Sequence, residues 1–140
     1  MADHDAAIAT SHLDLEESKA LVREARRRGI KTVVTHVNFV TASLPPEDQR
    51  WMAEKGAYLE LCYSSLSPAW RSASIDDVAE TVRNVGPEHY ILASDLGPVH
   101  NPAPPEGLRI YISLLLERGF DPEEIRVMVK DNPEQVLGLS

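Results

Sequence analysis

Lys31-Thr32-Val33-Val34-Thr35-His36-Val37-Asn38 is the stretch that decides the fold. Four β-branched residues in a row, Thr32 to Thr35, fit a short strand over Lys31–Thr35 and crowd a helix. His36-Val37-Asn38 then makes a polar tip. Reading outward, the same unit recurs on both sides: an apolar run, a polar tip, a capped amphipathic helix, and a turn into the next run.

Upstream, Ala6–Thr10 is the first run and Ser11-His12-Leu13 its tip. Asp14, with Glu17 three residues on, has capping-box spacing. Leu15, Ala20, Leu21, Val22 and Ala25 follow as an apolar stripe, and Gly29 stops that helix at its C′ position. The basic run Arg26-Arg27-Arg28 suits the negative end of the helix dipole. Downstream, Ser43, Pro45 and Pro46 open a helix that extends to about Lys55, closed by Gly56. Ala57–Tyr63 is the third run, with a Ser-rich tip from Ser64 to Ser72. Ser74 and Asp77 cap a helix over Ile75–Val85, ended by Gly86-Pro87. Tyr90–Ala93 is the fourth run, tipped by Ser94-Asp95-Leu96-Gly97. A Pro-rich loop leads to a helix at about Glu106–Arg118. Asp121-Pro122-Glu123-Glu124 is a strong helix start, and a last short helix runs from Asn132-Pro133 to Leu137.

Strands alternating with helices imply βαβ units, an α/β class and a parallel sheet. Four units in 140 residues leave two architectures: a small open doubly wound sheet, or half of a (β/α)₈ barrel, which needs roughly 250 residues when whole. The sequence has no GxGxxG or GxxxxGK phosphate loop, which removes the commonest nucleotide-binding reasons for an open sheet. Nothing of linker composition divides residues 1–140, so they are read as one domain.

Chemistry in such folds gathers at the carboxyl ends of the strands. The tips there carry His12, His36 and Asp95, with Glu60 a little inside its strand. His12 and His36 are 24 residues apart, as are His36 and Glu60, one βα unit each time. Imidazole and carboxylate are the donors a zinc-like divalent ion takes, and a catalytic site needs three protein donors plus water. His12, His36 and Asp95 would supply them. Each has a plainer alternative: a satisfied polar side chain for either histidine, a turn cap for Asp95, and for Glu60 a carboxylate paired with a cation. Against that plainer reading, Glu60 is a candidate for a catalytic role, and Glu60 and His100, the latter in the loop after Asp95, are candidate substrate contacts or supports of the ligands. His89 precedes its strand and so falls at the opposite face, and His4 lies near the chain start. Trp70-Arg71 either covers the site or packs on a neighbouring helix. The sequence has no GxSxG elbow, and Ser64, Ser65 and Ser67 have no histidine nearby in sequence. An open binding domain holding a small anion at its tips is a further alternative.

Ile8-Ala9-Thr10-Ser11-His12, Val33-Val34-Thr35-His36, Tyr90 through Gly97 and the tail Asp131-Asn132-Pro133-Glu134-Gln135-Val136-Leu137-Gly138-Leu139 together resemble the C-terminal half of the amidohydrolase superfamily of metal-dependent hydrolases. The resemblance implies strands five to eight of a TIM barrel, with His12 ending the fifth, His36 the sixth and Asp95 the eighth. It implies hydrolysis of a C–N or ester bond in a small-molecule substrate, with a divalent ion, zinc by expectation, and Asp95 as the proton carrier. The family's His-x-His pair on the first strand and its fourth-strand bridging residue have no counterpart here. A half-barrel has two open edges and an uncovered inner face, so association is expected, as a homodimer or with a complementary half-barrel. A non-catalytic half-barrel remnant or subunit is the competing reading.

A composition of 43% hydrophobic and 26% charged residues permits a buried core. The net charge of −8 and a pI of about 5.0 argue against nucleic acid and anionic membranes as partners. Cys62 is the sole cysteine, which excludes an internal disulfide, and its apolar run suggests a buried thiol. No basic and apolar leader opens the sequence, and no run approaches the ~18 apolar residues of a span, so the cytoplasm is the expected compartment.

Overall fold

The structure, a computed structural model, describes residues 6–39 and 43–139. His4 lies outside them. Four strands, β1 (Ile8–Ala9), β2 (Thr32–Val34), β3 (Ala57–Cys62) and β4 (Tyr90–Ala93), form one sheet in the order β1-β2-β3-β4, every neighbouring pair parallel. Sequential order without reversal is what a (β/α)₈ half-barrel requires. A doubly wound sheet changes direction at a switch point, and this one does not.

The alternation along β3 explains how the sheet packs. Ala57, Leu59 and Leu61 are buried in the core, whereas Tyr58 and Glu60 are only half-buried. The same parity puts Val34, Tyr90 and Leu92 in the core. Over that face lie α1 (Leu15–Arg27), α2 (Pro46–Glu54), α3 (Ile75–Val85) and α4 (Pro104–Glu117). They contribute Val22, Met52, Val78, Val82, Tyr111 and Leu115. The opposite face carries Ala9, Val33, Ile91 and Ala93, none of them in the core. This is the inner face of the half-barrel.

Helix starts follow the sequence signals. Asp14 accepts from Glu17 N at 2.9 Å while the Glu17 carboxylate accepts from Asp14 N, and Ser74 with Asp77 and Asp121 with Glu124 repeat the device. The basic run at the end of α1 is also explained locally, since Glu24 pairs with both Arg27 and Arg28. Between helices, Lys19 reaches Asp48 at 2.7 Å, and Arg83 pairs with Glu124 while its guanidinium covers the Phe120 ring at 3.8 Å. One buried polar hub stands in the core. Gln49, 1% exposed, accepts from Tyr90 Oη at 2.9 Å and donates to the Leu44 carbonyl at 2.8 Å.

The expected last short helix, from Asn132-Pro133 to Leu137, is present, and it continues directly from the helix before it. From α5 (Pro122–Arg126) the chain continues through a π-helical turn at Val127–Asp131 into α6 (Asn132–Leu137). Pro133 has no N–H and its ring crowds the carbonyl four residues back, so the widened turn accommodates it without breaking the helix. Arg126 bonds Asp131 at 2.7 Å, an i,i+5 pair that suits the wider pitch. Asn132, 3% exposed, donates to the carbonyls of Tyr90 (2.7 Å) and Pro87 (3.1 Å) and so pins the start of β4. Among the described residues no helix is long and apolar enough to cross a membrane.

Candidate metal centre

The carboxyl ends of the strands are braced by threonines. Thr10 Oγ1 accepts from Thr35 N at 3.0 Å, and Thr35 Oγ1 accepts from Ser11 N at 3.2 Å, a reciprocal pair that locks the exits of β1 and β2 together. Directly beyond it the backbone takes an unusual course. Ser11, His36 and Asp95 have φ of 53°, 58° and 50°, left-handed values that disfavour side chains other than glycine. Three such residues at one sheet edge, each at or next to a tip residue, mark an over-determined site.

For His36 the consequence can be traced. Val34 pairs with Leu59, so continuing the register would set His36 opposite Leu61 and point it at the core. The left-handed turn redirects it. Its Nδ1 lies 3.2 Å from Cys62 Sγ and 3.9 Å from Glu60 Oε2. Glu60 and Cys62, two apart on β3, share a strand face. Val37 N donates to the Glu60 carbonyl at 3.1 Å and holds the turn in place.

His12 and His36 stack, with ring centroids 5.3 Å apart and planes inclined by 22°. The aromatic series continues through Phe39, 5.7 Å from His36, to Trp70, edge-on to Phe39 at 5.3 Å. Trp70 is half-exposed beside the site. Asp95 is exposed at the tip of β4, and its Oδ2 accepts from Ser64 Oγ at 2.8 Å. Ser65 Oγ donates to the Cys62 carbonyl at 2.8 Å. These serines brace the β3 exit and have no imidazole partner. His100 is exposed in the loop after β4, and His89 sits in the turn before β4, at the opposite end of the strand.

Among the described residues, one group of donors has all its atoms within 4.8 Å of one another: His36 Nδ1, a Glu60 oxygen and Cys62 Sγ. His12 and Asp95, expected from the sequence as co-ligands of His36, stand beside this group and are not part of it. Cys62 is the member that sequence reasoning left in the core. It is indeed buried, 3% exposed, yet its place two residues after Glu60 on an alternating strand was the available signal. Burial, then the Glu60 and Asp95 carboxylates, push its thiol well above the usual range. Among the described residues, Glu60 Oε2 is buried with no hydrogen-bond partner. Bond lengths of about 2.0–2.3 Å to a tetrahedral ion separate its donors by about 3.4–3.6 Å. A small rotation of the Glu60 carboxylate would bring the three donors to the spacing a divalent ion requires.

Residues 1–60 match a family of unknown function, DUF6282. A comparison with curated proteins finds no match. Among solved structures, the chain is similar to the apo crystal structure of Agrobacterium tumefaciens ATU3138, with a TM-score of 0.60 and 18% identity. That similarity covers 99% of this chain and 52% of the other, so this chain spans about half the length of its structural neighbour. What the likeness establishes is the fold: a parallel α/β arrangement that accounts for half of a larger chain.

Proposed function

We propose that this sheet edge is the second-half share of a metal-dependent hydrolase site of amidohydrolase type, cleaving a C–N or ester bond of a small molecule with water and completed by elements outside this chain. The supporting observation is the His12–His36 stack: two imidazoles on neighbouring strand exits with centroids 5.3 Å apart, one of them turned there by a left-handed backbone. A divalent ion of the zinc kind, when bound, supplies the Lewis acidity that activates water and polarises a carbonyl. His36, with His12 beside it, offers imidazole nitrogen to hold such an ion. Asp95 takes the proton from the attacking water and passes it to the leaving nitrogen or oxygen. Ser64 orients that carboxylate through one oxygen and leaves the other to accept the proton. Trp70 and Phe39 form an aromatic wall beside the opening, where they would exclude water and pack on substrate.

The test is hydrolysis of a panel of amides, cyclic amides, esters and lactones by the purified chain, alone and with a complementary half-barrel, with and without a chelator. Turnover that the chelator removes and zinc restores is expected. Turnover indifferent to chelation would contradict the reading. The uncovered face at Ala9, Val33, Ile91 and Ala93 favours a second reading, a non-catalytic half-barrel that serves only to dock another half or a second copy. Tight, metal-independent association without turnover in the assembled pair would support that one instead.

A further inference from the structure

We infer that His36, Glu60 and Cys62 form a three-donor divalent-metal site contained within this one chain, with the Cys62 sulfur as a ligand. The inference rests on the reading that the strand edge holds an ion, and it changes which residues hold it. The donors come from adjacent strands. Glu60 and Cys62 share one face of β3, and the left-handed His36 leaves β2 toward them. His36 Nδ1 is 3.2 Å from the sulfur and 3.9 Å from the carboxylate.

The same three residue types could make a thiol nucleophile relayed through histidine to a carboxylate, but the geometry excludes it. Such a relay uses both ring nitrogens, one toward each partner. Here sulfur and carboxylate both face Nδ1, which cannot accept from one and donate to the other at once. Convergence of three donor atoms on one point is instead what a cation requires. The buried Glu60 Oε2 with no hydrogen-bond partner is an unmet demand for positive charge at that point. Nitrogen, oxygen and sulfur together select a borderline ion such as Zn²⁺ or Co²⁺ over Mg²⁺ or Ca²⁺. Binding converts the thiol to a coordinated thiolate and releases its proton to solvent, with no change of oxidation state. His12 is stacked on the His36 ring.

The experiment is a Co²⁺ titration of the purified, reduced chain, read by absorption. A thiolate-to-cobalt charge-transfer band in the near-ultraviolet, together with visible bands of tetrahedral cobalt, is expected, and Zn²⁺ should displace both. Cys62→Ser should lose the near-ultraviolet band, and Glu60→Gln should keep it with at least tenfold weaker Co²⁺ binding. Because Cys62 is the sole cysteine, its alkylation rate reports the same event without any variant, and Zn²⁺ should slow it at least tenfold. Visible cobalt bands without charge transfer, with unchanged alkylation, would overturn sulfur ligation and leave the metal-hydrolase reading standing. No cobalt absorption of either kind would overturn the site contained within this chain and leave standing a metal-hydrolase site completed by another half.

Discussion

Ser64 Oγ donates a 2.8 Å hydrogen bond to Asp95 Oδ2, joining the turn after β3 to the tip of β4. Ser64 is 1% exposed, while Asp95 faces solvent on its other side. Water can replace part of the lost bond, so Ser64→Ala should cost only about 1 kcal/mol of stability. Its effect on hydrolysis should be larger, a loss of about tenfold or more in kcat, since orienting partners of site residues typically carry that much. A urea midpoint shift accompanied by unchanged turnover would separate Asp95 from the chemistry.

Gly107 lies inside α4, where an alanine would ordinarily add about 1 kcal/mol of helix stability. A Cβ there would stand 2.0 Å from Leu96 Cδ1 and 3.2 Å from Tyr63 Cδ1. Leu96 is buried and directly follows Asp95, so its side chain must repack within the core beside that tip. Overpacking of this kind costs about 1–3 kcal/mol and should win over the helix gain. Gly107→Ala is therefore expected to lower the denaturation midpoint, and a raised midpoint would show that the Leu96 tip yields freely.

Gln49→Leu would leave the Tyr90 hydroxyl and the Leu44 carbonyl without their buried partner. At about 1–3 kcal/mol for each unpaired group, a loss of about 2–6 kcal/mol is expected. Adding Tyr90→Phe to Gln49→Leu should recover part of it, because the orphaned hydroxyl is then gone. Equal stabilities for the single and double variants in a chemical denaturation cycle would contradict the pairing.

The acid side of the stability profile follows from exposed carboxylates. Hydrogen bonds from Arg27 and Arg28 lower Glu24 to about 2. Ser74 lowers Asp77, and Arg109 and Arg126 lower Glu106 and Glu123. A carboxyl depressed in the folded state contributes stability above its unfolded pKa and loses it as pH falls through the folded value. Melting temperature should therefore decline from about pH 4 toward pH 2, and added salt should soften the decline because these pairs are exposed. A flat melting temperature over that range would mean the pairs contribute nothing.

Much of the architecture was legible because local signals agreed with the tertiary pattern. Asp14 with Glu17, Ser74 with Asp77 and Asp121 with Glu124 all cap the helices their spacing foretold, and α3 falls on Ile75–Val85 as read. Other features depend on contacts that a linear reading does not contain. The π turn at Val127–Asp131 lies just ahead of Pro133 and beside Asn132, which is anchored to Tyr90 and Pro87 from a distant part of the chain. β1 is shorter than the Ala6–Thr10 run, Ile8–Ala9, and at its exit the Thr10 side chain accepts the Thr35 N–H in place of a backbone carbonyl. His12, His36 and Asp95 were recognisable as strand-tip residues. Cys62 was recognisable as buried, but its approach to His36 depends on a backbone turn of φ 58°, which residue type alone does not announce.

Equilibrium dialysis of the purified chain against buffered Zn²⁺ shows whether the strand edge around His36 binds a divalent ion. One ion per chain is predicted for the native sequence. His36→Ala should weaken binding at least tenfold with the far-ultraviolet circular dichroism unchanged, since His36 supplies a donor and takes no part in the hydrophobic core. Failure of the native chain to retain zinc, or equal retention by His36→Ala, would contradict ion binding at that edge.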